Sequence, residues 1–375
     1  MKKLFVILLA VAMAAAFAVP ALAAGPMVKV GGRMLTDIGY WNRSEELMSS
    51  GDDVGTAFVN VPGHSYLRAI FTAPDKTTGG FIELGLASLQ PSATVSLRYA
   101  YGWYKIGNCK ITAGQTDNLF GTLAAFPRQN VGLNNNWHLL LFGWGKLWPH
   151  RVPQVRIFWD GGMFSLQFAL EEPRAKSLSG VTGDFYYVFP RASLVARIKA
   201  GGFVAWPGFN FVQHKFELAS GATGDDSYNT WAFAVPIKFV AGAFTVKADL
   251  HYGYNFRTEY PFYPSQTAPI VSATGEIEDT KTWGGMLTFE YKMGNMTLAL
   301  GGGYERFEND KWKDWLGYKD DNQSRYAFFV SLPTHINKYF LIQPEFSYYN
   351  YGDNPSDGSD AGTEWMLGMQ FSFVF

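Results

Sequence analysis

Apolar and polar side chains alternate one for one through much of this chain, in runs of about ten residues. The clearest run closes the sequence. Over residues 364–375 one face carries Trp365, Leu367, Met369, Phe371, Phe373 and Phe375, and the other carries Glu364, Met366, Gly368, Gln370, Ser372 and Val374. So many large apolar side chains on one face are rare in a soluble strand and necessary in a strand whose outer face meets lipid. Residues 27–41 repeat the pattern, with Val28, Val30, Met34, Ile38 and Tyr40 against Lys29, Arg33, Asp37 and Trp41. Fourteen further segments follow it: 65–72, 80–88, 94–105, 109–116, 152–159, 163–171, 187–199, 203–218, 229–240, 243–254, 282–292, 296–307, 325–332 and 338–350. That makes sixteen candidate strands. Strands of roughly ten residues reach across a bilayer when tilted.

The connections sort by length. Tight turns at 74–76, 106–108, 160–162, 200–202, 241–242 and 294–295 are rich in Gly, Asn and Asp, which supply the backbone angles of hairpins. The long connections are 42–64, 117–151, 172–186, 255–281, 308–324 and 351–363. With a periplasmic N-terminus, every tight turn falls on the periplasmic side and every long connection outside. Membrane barrels sort their loops this way, and a soluble sandwich has no reason to.

The N-terminus agrees. Lys2 and Lys3 precede an apolar stretch, and Pro20-Ala21-Leu22-Ala23 places small residues before Ala24. This predicts a secretory signal over 1–23 and a mature barrel over 24–375. Past that segment no run approaches roughly 18 uninterrupted apolar residues, which excludes helical spans. Removing Lys2 and Lys3 from 31 basic residues leaves 29 against 32 acidic, a net charge of −3, which argues against nucleic acid as a partner. Aromatics make up 17%, yet every second strand residue is polar, as a wet lumen requires. The single cysteine, Cys109, forbids an internal disulfide. No haem, zinc, phosphate-loop or Gly-x-Ser-x-Gly pattern is present, so no cofactor is expected.

Together the strand count, the longest connection and the terminal Phe375 give a chain that resembles the sixteen-stranded, homotrimeric diffusion porins of Gram-negative outer membranes. The resemblance covers the whole mature chain. It implies an all-β transmembrane antiparallel barrel whose third loop, 117–151, folds inward and narrows the pore. It implies an outer-membrane location among lipid and lipopolysaccharide, and Phe375 as a signal to the barrel-assembly machinery. The loop contains Arg128, Lys146 and Arg151 as constriction candidates, and Trp137 to Trp148 is too apolar for a segment in water. An external loop buried at a trimer contact is the alternative.

Alternation also assigns the lumen. Eleven basic residues point inward: Lys29, Arg33, Arg68, Arg98, Lys110, Arg156, Arg191, Arg197, Lys199, Lys247 and Arg325. Seven acidic ones do: Asp37, Glu83, Glu171, Asp249, Glu290, Glu345 and Glu364. Most would pair across the wall. The excess predicts a mild preference for small anionic over cationic solutes, since a low-dielectric wall focuses inward charges. Arginine forks also suit carboxylates and phosphates. Catalysis has little support: only His138 and His150 share a loop, without a nucleophile, and His251 beside Asp249 reads as a structural pair. The expected function is a passive channel for small anionic or neutral solutes. A sheath around a periplasmic electron-transfer protein and a structural or adhesion barrel are the alternatives, and the tryptophans leave a saccharide route open.

Overall fold

The computed structural model describes residues 26–48, 51–89, 92–120, 141–148, 150–174, 178, 183–218 and 223–375. The segment 1–23, its cleavage before Ala24, and Arg128 lie outside the described residues.

Sixteen antiparallel strands close into one barrel. They are β1 Met27–Arg43, β2 Val54–Thr72, β3 Thr78–Leu89, β4 Ser92–Ile106, β5 Cys109–Asp117, β6 Arg151–Gly161 and β7 Phe164–Glu171. Next come β8 Gly183–Tyr187 with Arg191–Ala200, β9 Phe203–Ala205 with Gly208–Leu218, and β10 Ser227–Ala234 with Ile237–Ala241. The rest are β11 Phe244–Tyr254, β12 Lys281–Met293, β13 Met296–Glu308, β14 Asn322–Ser331 with Thr334–His335, β15 Phe340–Asn350 and β16 Thr363–Val374. Four strands are written in two parts because a proline interrupts each ladder: Pro190, Pro207, Pro236 and Pro333 lack the N–H that a central strand donates. Their neighbours still bond across the gap, as where Trp206 donates to the Pro236 carbonyl at 2.9 Å and Ala196 to that of Pro207 at 2.9 Å. Residues 33–43 of β1 pair with 364–374 of β16, which removes both sheet edges.

Alternation divides the two faces. Val30, Ile38, Val95, Leu97, Ile157, Phe209, Leu250, Leu287, Phe328, Val330 and Leu367 are exposed on the outside. Their neighbours Asp37, Glu83, Arg156, Asp249, Glu290 and Glu364 are turned inward and buried. Aromatic pairs ring the outer face at both ends: Trp283–Tyr304 and Tyr326–Tyr348 toward the long loops, Phe244–Tyr291 and Phe340–Phe373 toward the short turns. These are the two interfacial girdles of a membrane barrel.

The structure corrects the start of the second strand most. The alternation places the second strand at 65–72, but β2 begins at Val54 and pairs with β1 out to Arg43. Two extra residues sit in β2 between Val61 and Ser65, against both β1 and β3. Pro62-Gly63 there cannot continue a regular ladder, so the alternation breaks while the strand goes on. A second bulge places one extra residue, Arg98, in β4 opposite the Glu83–Leu84 step of β3.

Candidate functional site

The loop after β5 enters the barrel at once. Leu119 and Phe120 are buried against the inner wall, in a cluster with Ala169, Val195, Ala232 and Ala234. Leu119 N–H donates to Glu171 at 2.7 Å. The described end of the same loop, 141–148, lies against the opposite wall. Leu141 and Trp144 pack on Met286, Ala299, Ala327, Phe329 and Tyr349 of β12 to β15. Trp144 meets Tyr349 and Tyr351 edge-on at 5.2 and 5.0 Å, and the Arg325 guanidinium lies 4.6 Å from its ring.

Glycine makes this approach feasible. Gly145 has φ +94° and its missing Cβ would stand 2.1 Å from the Gly285 carbonyl oxygen. A Cβ on Gly303 would stand 1.8 Å from the Trp144 carbonyl oxygen. The loop therefore lies backbone to backbone on the wall. Gly145 N–H donates to Glu305 at 2.8 Å. Lys146, fully buried, pairs with Asp249. Its charge is paired at the wall and shielded from solvent.

A second connection, 255–280, also turns into the barrel. Asn255 adopts the left-handed conformation at φ 61° and turns the chain inward. The following turn buries Phe256, Glu259, Tyr260 and Tyr263. Glu259 accepts from Arg191 at 2.6 Å, and Arg191 also bonds Glu171 at 3.0 Å. Nothing in the alternation indicated that this connection is also internal. Its density of aromatic residues was the available signal.

Among the described residues, an open space lies against β1 to β6. A cavity of about 440 Å³ is lined by Arg33, Arg68, Arg98, Lys110 and Arg156, by Glu83 and Asp117, and by His64, Tyr66, Phe81, Tyr99 and Tyr101. Arg98 pairs with Glu83 at 2.7 Å and donates to the Gly63 carbonyl at 2.6 Å, so the β2 bulge and the β4 bulge are bonded to each other. Arg156 donates to the Asp117 carbonyl at 2.5 Å and to Gln154 at 2.7 Å. Arg33 donates to Ser372 at 3.1 Å, and Arg68 lies over Tyr66 at 5.3 Å. Among the described residues, Arg33, Arg68, Lys110 and Arg156 have no ion-paired carboxylate. A further cavity of about 300 Å³ shares Arg33 and Tyr66 and continues past Lys338 and His335 toward the short-turn end.

At the loop end of the cavity Arg151 bonds Asp117 at 3.3 Å and stacks on Tyr99 at 4.9 Å and Trp148 at 5.4 Å. Burial holds the neighbouring His150 imidazole below its ordinary value, so it adds no charge at neutral pH.

The structure thus brings Arg33, Arg68, Arg98, Arg156 and Glu83 around one space, with Arg151 at its rim. Asp37 lies elsewhere, buried and accepting from Gln370 at 2.8 Å. Arg191, Lys247 and Arg197 are paired with Glu171 and Glu259, Glu290 and Asp160. Alternation did not single out Tyr66, Phe81, Tyr99 or Tyr101. The extra residue Arg98 matters here: it lets Arg98 and Tyr99, adjacent in sequence, both reach the lumen.

No protein-family model and no curated protein sequence matches the chain. Solved structures do. The chain is similar to the outer membrane channel DcaP of Acinetobacter baumannii, with 19% identity over 94% of this chain and 99% of that one, at a TM-score of 0.74. It is similar to an anion-selective porin from Comamonas acidovorans, with 11% identity over 93% and 100%, at 0.60. It is similar to Salmonella typhi OmpF in complex with daunomycin, with 11% identity over 94% and 99%, at 0.59. The chain has the fold of the sixteen-stranded porins of Gram-negative outer membranes.

Proposed function

We propose that the protein is a passive diffusion channel of the bacterial outer membrane that favours small anions over cations. The observation that carries this reading is the cavity on β1 to β6, where four cations without a paired carboxylate face one space. Arginine and lysine on a weakly polarisable wall lower the energy of an anion in transit and raise that of a cation. The solutes are small carboxylates, phosphates and neutral molecules that fit a gap of this size. The anion-selective porin from Comamonas acidovorans shares the fold and supports the direction of the preference.

The pore-lining set is Arg33, Arg68, Arg98, Lys110, Arg156 and Glu83, with Arg151 at the rim. Assembly as a homotrimer, insertion through the barrel-assembly machinery by way of Phe375, and contact with lipopolysaccharide belong to the same proposal. A trimeric form of Vibrio cholerae OmpT, which has the same fold, supports the first of these. A sheath around a second protein needs a wide, empty lumen. Segments 118–120, 141–148 and 255–263 occupy this one, which counts against it.

Single-channel recording of the purified protein in planar bilayers, under a salt gradient, tests the reading. Discrete steps with an anion-signed reversal potential are expected. No steps, or a cation-signed potential at low salt, would refute it.

A further inference from the structure

We infer that the connection 255–280 is a second constriction element: its inward turn holds the third loop against the wall and shares control of the pore width. This rests on the channel reading above. Three contacts carry it. The Glu305 carboxylate is shared between the two loops, since one oxygen accepts from Gly145 N–H of the third loop at 2.8 Å and from the Tyr263 hydroxyl at 2.7 Å. His251 Nε2 completes the group, 3.0 Å from the other carboxylate oxygen and 2.9 Å from the Tyr263 hydroxyl. Next, the Phe262 ring lies on Trp148 at 5.3 Å and beside Phe142 at 5.5 Å, and those two stack on each other at 4.6 Å. Finally, Arg325 of the wall bridges the loops. It lies over Trp144 and its Nη2 reaches the Phe262 carbonyl at 3.5 Å.

The turn that makes these contacts has anchors of its own. Asn255 closes the neck of the connection: its N–H donates to the Thr280 carbonyl and its side-chain oxygen accepts from Thr280 N–H, each at 2.9 Å. Glu259 bonds Arg191 of β8 and the backbone N–H of Arg174, the latter at 3.0 Å. Tyr260 pairs with the Asn210 amide of β9, and Thr258 with Thr230 of β10 at 2.7 Å. So the turn is fixed to β8, β9 and β10, while segment 141–148 of the third loop leans on β12 to β15, on Asp249 of β11 and on the turn. Phe142 and Trp148 rest on Phe262, so a shift of the turn removes one face of their support. Phe262 and Tyr263 are therefore positioning residues: they act through the third loop.

Planar-bilayer recording of the full chain, with Phe262→Ala, Phe262→Tyr and Tyr263→Phe, tests this. The folded fraction of each is read from its heat-modifiable migration in gels. Phe262→Ala should raise the single-channel conductance by up to about two-fold, since it removes one face of the support under Phe142 and Trp148, and should add sublevels to the open current. Phe262→Tyr keeps the stack and should restore the unmodified trace. Tyr263→Phe keeps the ring and deletes one hydrogen bond to a buried carboxylate, so it covers the case in which Phe262→Ala does not fold. It should raise the frequency of current transitions about five-fold or more. An unmodified protein that gives no channels overturns the channel reading itself. An unmodified protein that conducts, with folded variants that match its conductance and transitions, overturns the second constriction alone.

Discussion

Replacing Arg33, Lys110 and Arg156 together by glutamine removes three cations from the cavity and keeps polar side chains of similar length. The effect on ion distribution follows from the size of the space. A cavity of about 440 Å³ matches a sphere of about 5 Å radius, so an ion at its centre sits roughly 6 Å from each charge. In a water-filled lumen each such charge contributes about 0.7 kcal/mol before screening. A screening length of about 10 Å at 0.1 M salt leaves about 0.4 kcal/mol each, or about 1.1 kcal/mol for three. That is an enrichment of a monovalent anion of about six-fold, with a matching depletion of cations. At 1 M salt the screening length is about 3 Å and the enrichment falls below about two-fold. The assay is the reversal potential across a bilayer under a salt gradient, at low and high mean salt. The unmodified channel should be anion-selective at low salt and nearly unselective at high salt. The triple variant should lose most of that preference at low salt and change little at high salt. A variant that keeps the low-salt preference would refute the assignment of selectivity to this wall, and selectivity that ignores salt would refute the electrostatic cause.

Lys146→Ala should cost about 3–5 kcal/mol of folding stability, because it leaves Asp249 buried and unpaired, whereas Lys146→Met with Asp249→Leu should cost far less. Urea unfolding in detergent measures both, and a loss below about 1 kcal/mol for Lys146→Ala would show that the pair does not hold the loop. Deleting Phe375 should lower the yield of folded barrel in the outer membrane, and unchanged yield would dismiss its assembly role. Gly39→Val should do the same at the β1–β16 seam, since a Cβ there would stand 2.8 Å from the Leu367 backbone carbonyl oxygen; a normal heat-modifiable band would refute this. N-terminal sequencing of protein from cells should read from Ala24, and a retained Met1 would remove the secretory signal.

The strands were legible because each obeys the same rule. A wall one residue thick, with lipid on one side and water on the other, must alternate, and Val30–Asp37–Ile38 or Glu364–Leu367–Gln370 shows it in sequence alone. The breaks were not legible. Pro62-Gly63 reads as a loop, yet neighbouring strands keep β2 extended through it. The extra residue at Arg98 leaves no mark of its own, because adjacent inward residues look like noise in an alternating run. The division of the inward charges was hidden for another reason. Alternation tells which face a residue takes, not where around the barrel it stands. Arg191 and Arg156 have the same inward signature, but only Arg191 meets a loop carboxylate, Glu259. That meeting depends on a turn folding back over a long separation in sequence.

The inner wall itself accounts for the division. Along β12 to β14 the inward positions include Gly284, Ala299, Gly301, Gly303, Ala327 and Phe329, small or apolar side chains that a water-filled lumen gives no reason to keep. A bare wall of this kind would expose apolar surface and leave a trough. The third loop removes both. Its glycine at 145 brings the backbone onto Gly303, and burial of Leu141 and Trp144 contributes on the order of 2–3 kcal/mol each. The polar cost is met locally, by Glu305 for the loop amide and by Asp249 for Lys146. Along β1 to β6 the inward positions include instead Arg33, Arg68, Lys110 and Arg156, which have no ion-paired carboxylate among the described residues and would bury unpaired charge if a loop lay on them. The described segment 141–148 therefore lies on the small, apolar arc. On the proposed channel reading, width and charge are set by different arcs of one barrel, so substitutions on β12 to β14 should alter conductance before selectivity, and substitutions on β1 to β6 should do the reverse.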